Sequence, residues 1–341
     1  MTAAPATRVG VVVMAYGTPA RTSDIEAYYT HIRRGRPPSP EQLADLTRRY
    51  DALGGTSTLA ARTADQVAAV ARELDRLEPQ RFEVRLGQKH ASPFIEDAVS
   101  TLAAEGVGHV VGLVLAPHYS GASVGEYQNR AAAAAAQVDI GHSQVLRWYD
   151  EPTYQEFLAT AVVDALTDMG PSTQVVFTAH SLPERVLEGD SYPGELAASA
   201  AAAARLAGLD ASRWSLAWQS AGATPEPWRG PDILAVIDEL ARSGGTDGIL
   251  VCPQGFVADH LEVAYDLDIE AAARASEAGL AFGRTRTLND DPRVMAALAR
   301  RVQTAANSPV AGQNAGQSAD PGSDPGAGTD PHQPGTDASP T

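Results

Sequence analysis

Three carboxylates recur at one interval late in this chain: Glu262, Asp266 and Glu270, each four residues from the next. On a helix that spacing puts them on one ridge, with Leu261, Tyr265 and Ile269 as the adjoining apolar stripe. Like charges at this interval oppose helix formation. Carboxylate oxygens suit hard cations, so a chain that keeps such a ridge can use it to hold or pass a metal ion. Two plainer readings compete. The ridge could be a solvated acidic face, or Asp259 and Glu262 could form a cap, since their spacing is that of a capping box. The other group with chemistry is His180, in Phe177-Thr178-Ala179-His180-Ser181-Leu182-Pro183. Imidazole is both a metal ligand and a base that titrates near neutral pH, although a lone histidine after a strand more often serves as a structural hydrogen-bonder.

Composition limits what these groups can belong to. The chain has 341 residues, a formal net charge of −16 and one cysteine. That charge argues against a nucleic-acid partner and against a basic membrane-binding surface. Cys252 alone can form neither an intrachain disulfide nor a four-cysteine zinc or iron–sulfur site. No run reaches the roughly 20 apolar residues of a membrane span, and Met1 to Thr7 does not read as a secretory signal. A cytoplasmic protein without membrane insertion is expected.

Short apolar runs that alternate with helical patterns must carry the site. Val9 to Ala15, Phe82 to Leu86 and Val110 to Ala116 read as buried strands, and Gln174 to Thr178, Trp214 to Trp218 and Ile249 to Val251 repeat the pattern. Helices fit at Thr63 to Leu77, Phe94 to Ala104, Tyr154 to Leu166, Gly194 to Ala207 and Asp232 to Arg242. Such alternation predicts an α/β fold of two doubly wound domains, 8–167 and 168–306, each a mainly parallel sheet flanked by helices. The Gly-, Pro-, Ser- and Asp-rich segment 307–341 is expected to be a disordered tail.

In doubly wound folds ligands sit beyond the carboxyl ends of the strands. Tyr16, Lys89 and His90, His118 to Ser120, His180 and Ser181, Gln219 and Ser220, and the acidic helix all follow predicted strands. Together they outline one cleft between two domains. Gly121-Ala122-Ser123-Val124-Gly125 has the letters of a hydrolase nucleophile elbow, but Pro117 to Gly121 separate the serine from its strand, which argues against that use. There is no dinucleotide fingerprint and no phosphate-binding Walker loop.

The ordered set Met14 to Pro19 (MAYGTP), Tyr28 to Arg36 (YYTHIRRGR), Leu53 to Ser57 (LGGTS), Gly87 to His90 (GQKH), Ala179 to Pro183 (AHSLP), Trp218 to Ser220 (WQS) and Gly255 to Glu262 (GFVADHLE) resembles ferrochelatase. The motifs run in family order up to about Ala306. The nearest likeness is to the water-soluble enzymes of Gram-positive bacteria and actinobacteria, which insert ferrous iron into coproporphyrin III. The resemblance implies two chelatase-like domains with the active site between them. It implies that His180 and Glu262 handle pyrrole protons and iron, and that Asp266 and Glu270 guide a hydrated metal. By the same likeness Tyr16 faces the opposite side of the macrocycle and can ligate iron.

The resemblance further implies that Ile32, Arg33 and Arg34 touch the porphyrin, with Ser57 and Tyr127 at the macrocycle or its propionates. Lys89, His90, Trp218 and Ser220 complete the expected substrate-binding set. Arg33, Arg34 and Lys89 could supply donors to four propionates. Ferrous iron enters as substrate, a divalent cation such as magnesium is a candidate regulatory or structural ion, and no iron–sulfur cluster is expected. The implied partners are coproporphyrin III, iron and, transiently, a coproheme decarboxylase, with the chain acting as a monomer. The alternatives are a chelatase for another metal or tetrapyrrole, such as sirohydrochlorin with cobalt, or a non-catalytic coproheme carrier.

Overall fold

Runs of β-branched and aliphatic residues with no polar face are buried between two layers of helix, and the central strands of this chain are of that kind. In β1 (Val9–Ala15), Val11, Val12, Val13 and Met14 are all fully buried. The computed structural model describes residues 8–222 and 224–308. Of the segment 307–341 read as a disordered tail, Asn307 instead ends the helix Pro292–Asn307, Ser308 follows it, and the rest, from 309 onward, lies outside the described residues.

Two four-stranded parallel sheets carry the same strand order. The first is β2 (Phe82–Gln88), β1, β3 (His109–Val114) and β4 (Gly141–Val145). The second is β6 (Trp214–Gln219), β5 (Gln174–His180), β7 (Gly248–Cys252) and β8 (Ala281–Arg284). Thus β5 holds in its sheet the place that β1 holds in the first. The expected α/β class and parallel pairing are present. The sequence reading omitted β4 and β8, two of the four edge strands. Gly-His-Ser-Gln-Val and Ala-Phe-Gly-Arg are partly exposed and lack the apolar run by which a buried strand is recognised.

One apolar cluster joins the sheets. It contains Val11 and Val13 of β1, Val175 and Phe177 of β5, and Leu250 of β7. The last helix of each half strengthens this union by crossing over. Pro152–Leu166 packs on the helix Tyr192–Leu206 and on β7, while Pro292–Asn307 packs on the helix Leu59–Leu77 and on β4. The strand ends that line the cleft are therefore held on a single body of packed side chains.

Leu298, fully buried on the crossing helix Pro292–Asn307, tests this coupling. Leu298→Ala should cost about 2–5 kcal/mol of stability in chemical denaturation, the usual penalty for a leucine-sized cavity. A loss below about 1 kcal/mol would show that the helix does not anchor the shared core.

Candidate functional site

The carboxyl ends of both sheets open onto one cleft with two lobes. The polar lobe, about 1140 Å³ with its mouth, includes Tyr28, Ile32, Arg49, Ser57, Ser220 and Asp266 in its wall. The apolar lobe, about 1040 Å³, is lined by residues such as Met14, Val114, Tyr127, His180, Tyr192 and Phe256. Tyr16, Leu59, His260 and Glu262 border both lobes. An apolar cleft with a few convergent polar groups is the ordinary form of a small-molecule site.

His180 ends β5, and Glu262 comes from the loop and helix that follow β7. Their closest atoms, Nε2 and Oε2, are 3.7 Å apart. The Nδ1–H of His180 donates to the carbonyl of Ser181. That bond assigns the proton to Nδ1 and leaves Nε2 as the basic nitrogen of the neutral ring, directed at Glu262. On the other side, His260 Nδ1 accepts from the Val263 amide at 3.2 Å, and its Nε2 lies 3.8 Å from the same Glu262 oxygen. Two imidazoles with opposite tautomers thus flank one carboxylate. Gly255 permits this approach. A Cβ there would stand 2.8 Å from the Ala179 Cα, so only glycine lets the turn before Glu262 lie against the end of β5.

The acidic ridge sits on a π-helical segment, Val263–Ala271, rather than on an ordinary α-helix. Its core-facing row also differs from the expectation. Val263, Leu267 and Ala271 are buried, and of the expected stripe Tyr265 is buried, whereas Ile269 is exposed and Leu261 only half-buried. The capping reading fails as well. Asp259 accepts from Asn289 Nδ2 at 3.1 Å and pairs with Arg284 at 3.3 Å, and Glu262 makes no side-chain cap bond.

Nor is the ridge simply a solvated face, because Asp266 is 7 % exposed. Burial pushes its carboxyl up to about 7, and the neighbouring negative charges of Glu262 and Glu270 push the same way. The Ser220 hydroxyl, which donates to Oδ2, and Arg49, 3.4 Å from Oδ1, offset part of that cost. Glu270 is half-buried and outside both lobes. Among the described residues, no group of three or more His, Cys, Asp or Glu side chains converges as a preformed metal centre.

The other expected residues divide. Ile32 and Ser57 line the polar lobe, and Tyr127 lines the apolar lobe. Lys89 is buried and paired with Glu126 at 2.9 Å, between the rings of Tyr16 and Tyr127. His90 is buried beside Tyr16, with its Nδ1 3.0 Å from that of His31. Arg33 bonds the Arg36 carbonyl and Arg34 is exposed, and neither borders a lobe. Trp218 packs in a core cluster with Leu182 and Tyr192, because strand alternation turns it away from the face that Gln219 shows to Glu262.

His118 is fully buried, bonded to Ser199 at 2.8 Å and pushed down to about 3 by burial, so it stays neutral. Cys252 is buried in β7, where burial raises its thiol to about 12. Residues absent from the expected set include His260, Arg49 and Gln66. His260 had a signal, two positions before Glu262 in the same motif. Arg49 and Gln66 lie on helices with no motif to mark them.

Residues 8–306 match a protein-family model described as ferrochelatase. The coproporphyrin III ferrochelatase of Halalkalibacterium halodurans is 42% identical over 301 residues, spanning 87% of this chain and 96% of that protein. The coproporphyrin III ferrochelatase of Bacillus subtilis is 41% identical over 299 residues, 86% of this chain and 96% of that protein. Among solved structures, the sirohydrochlorin chelatase SirB from Bacillus subtilis subspecies spizizenii in complex with cobalt aligns with a TM-score of 0.53 at 12% identity, covering 88% of this chain and 97% of that one. At that identity the likeness concerns the fold alone.

The buried carboxyl gives a signed pH test. The fold raises the Asp266 pKa to about 7, so folding favours its protonated form. The stability it supplies is complete below the ordinary carboxylate range and is lost as pH rises through about 7. Asp266→Asn retains the shape and cannot ionise. Its stability relative to the parent should therefore improve by roughly 2–4 kcal/mol between pH 4 and pH 8, measured by denaturant titration at each pH. A difference that does not change with pH would contradict the burial argument.

Proposed function

The chain belongs to the ferrochelatase family, and we propose that it inserts ferrous iron into coproporphyrin III, with His180 and Glu262 handling the pyrrole protons and the iron. The reaction is a metal exchange for protons. Two pyrrole N–H bonds break, two protons leave, ferrous iron sheds its water and four nitrogens bind it. The chemistry needs a neutral base near the macrocycle and an anionic group near the metal. The observation that carries the assignment is the 3.7 Å approach of His180 Nε2 to Glu262 Oε2 at the cleft.

In this reading Nε2 of His180 accepts a pyrrole proton, because Nδ1 already carries one. Glu262 borders both lobes and offers oxygen to the incoming iron. Asp266 and Glu270 supply negative charge along its route and suit a hydrated divalent cation such as magnesium. Tyr16 meets the macrocycle from the first sheet. The carboxylates of a tetra-anionic porphyrin use the hydroxyl of Ser57 and the guanidinium of Arg49, both bordering the polar lobe, while the Tyr28 hydroxyl donates to the Gly17 carbonyl at 3.0 Å. Lys89 acts behind the wall by balancing Glu126. The iron-loaded product then passes, through a transient contact, to an enzyme that decarboxylates it.

Steady-state metallation by purified protein under anaerobic conditions tests this directly. His180→Ala and Glu262→Gln should each lower kcat by about 10²-fold or more, the range for losing a positioned acid–base group. Porphyrin affinity, read by fluorescence quenching, should change by less than a few-fold. Coproporphyrin III should exceed protoporphyrin IX in kcat/KM, since four carboxylates use more rim donors than two. Equal use of both porphyrins would refute the substrate assignment, and normal turnover in either variant would remove that residue from the mechanism.

A further inference from the structure

Gln66 is an unexpected residue for its position. It lies on the buried face of the helix Leu59–Leu77, between Thr63 and Val70, and is 1 % exposed. A primary amide there must find partners or destabilise the core. Its Nε2 donates to the carbonyl of Val257 at 3.0 Å and to that of Asn289 at 2.9 Å. Both partners are acceptors only, so the amide orientation follows from the chemistry.

Both carbonyls belong to the second half of the chain, more than 190 residues away. Val257 lies in the loop that leads to His260 and Glu262, and Asn289 follows β8. The two loops are already tied together. The Asn289 amide donates to the Val257 carbonyl at 2.8 Å, and the Asn289 side chain holds Asp259 through its backbone amide at 3.2 Å and its carboxylate at 3.1 Å. Thr58, just before the same helix, donates to the Asp259 carbonyl at 3.0 Å. Gln66 and Val257 also line the apolar lobe together with Glu262.

We propose that Gln66 is a positioning residue for metallation: from the first half of the chain, it fixes the loop that aims His260 and Glu262 at the macrocycle. The inference rests on the proposed reaction. Gln66→Met keeps the volume and removes both donors, whereas Gln66→Glu keeps the shape and replaces the donors with acceptors. Thr58→Ala removes the exposed tie with little risk to folding.

Two measurements on the full chain separate this proposal from the reaction it depends on. The first is amide hydrogen exchange over 254–262, which needs no catalysis. Exchange there should rise in Gln66→Met while strands β1 and β5 remain protected, and unchanged exchange would overturn the proposal even if the protein proved to have another activity. The second is steady-state metallation with ferrous iron and coproporphyrin III, each variant being compared with an active parent. Misplacement of a catalytic group by a fraction of an ångström to an ångström costs on the order of 10- to 100-fold. Gln66→Met should therefore lower kcat about tenfold and leave the KM for porphyrin within about twofold, with Gln66→Glu worse and Thr58→Ala milder. An unchanged kcat with a lower Tm would reduce Gln66 to a structural residue. A raised porphyrin KM at unchanged kcat would make it a substrate contact instead. Either result would overturn the positioning role. If Gln66→Met does not fold, Thr58→Ala decides: no rise in loop exchange and no fall in kcat would count against the proposal. An inactive parent with a loosened loop in Gln66→Met would refute the reaction and leave the loop contact standing.

Discussion

The cost of placing carboxylates in a protein wall is the constraint on which this site depends. Asp266 is almost fully buried, with Glu262 four residues before it and Glu270 four after. Burial raises the energy of the charged form of Asp266, and both neighbours raise it further. Full neutralisation by a close guanidinium would remove the cost and also the attraction for a metal. The structure stops short of that. Arg49 is 3.4 Å from Asp266, shares its charge with Asp45 at 3.1 Å, and lies over the Tyr265 ring. Ser220 adds one hydroxyl. The remaining electrostatic cost is what an arriving divalent cation would relieve under the proposed function.

A row of groups repeated every four residues fits neither common helix. An α-helix overshoots a full turn by about 40° in four residues. A π-helix, whose ladder closes one residue later, has a wider turn and falls short instead. The acidic segment runs from a short α-helical start through the π-helix Val263–Ala271 into Ala272–Glu277, so it combines both senses. Its apolar row Val263, Leu267 and Ala271 has the same interval, offset by one residue from the carboxylates. The interval that announces function and the interval that buries the helix are therefore one geometric choice. An ordinary amphipathic helix would have mixed threes and fours.

That choice also explains what the sequence could and could not convey. The central strands β1, β3, β5 and β7 were legible because a buried parallel strand has little freedom in composition. The edge strands β2 and β6 were legible by alternation, Phe82, Val84 and Leu86 in one and Trp214, Leu216 and Trp218 in the other, whereas the edges β4 and β8 lack any such apolar pattern. The site was legible wherever a residue follows a strand: Tyr16, His180, Ser220 and Glu262 all border the cleft. It was illegible where a cleft-lining group comes from a helix packed sideways, as with Arg49 and Gln66, because sequence gives a helix face and not the element it meets. Lys89 and Trp218 show the opposite failure. Both stand within a recognisable motif, yet one is spent on Glu126 and the other on the core. A motif marks a neighbourhood, and strand alternation then decides which of its side chains reach the cavity.

The equal strand order of the two sheets gives this neighbourhood its logic. Tyr16 follows β1 and His180 ends β5, and those strands occupy the same place in their sheets. A flat macrocycle has two faces, and a cleft between two copies of one topology presents a strand end to each. The copies are not chemically equal. The first half ends its strand with a phenol backed by Lys89 and His90, groups suited to packing and hydrogen bonding. The second ends with an imidazole and continues from β7 into the carboxylate row. Under the proposed function, proton and metal would meet the macrocycle from the second half, while the first half would close the other face. Such a division works only if the two halves keep a fixed separation. Crossing helices set that separation in the core, and Gln66 extends it to the loop that leads to Glu262.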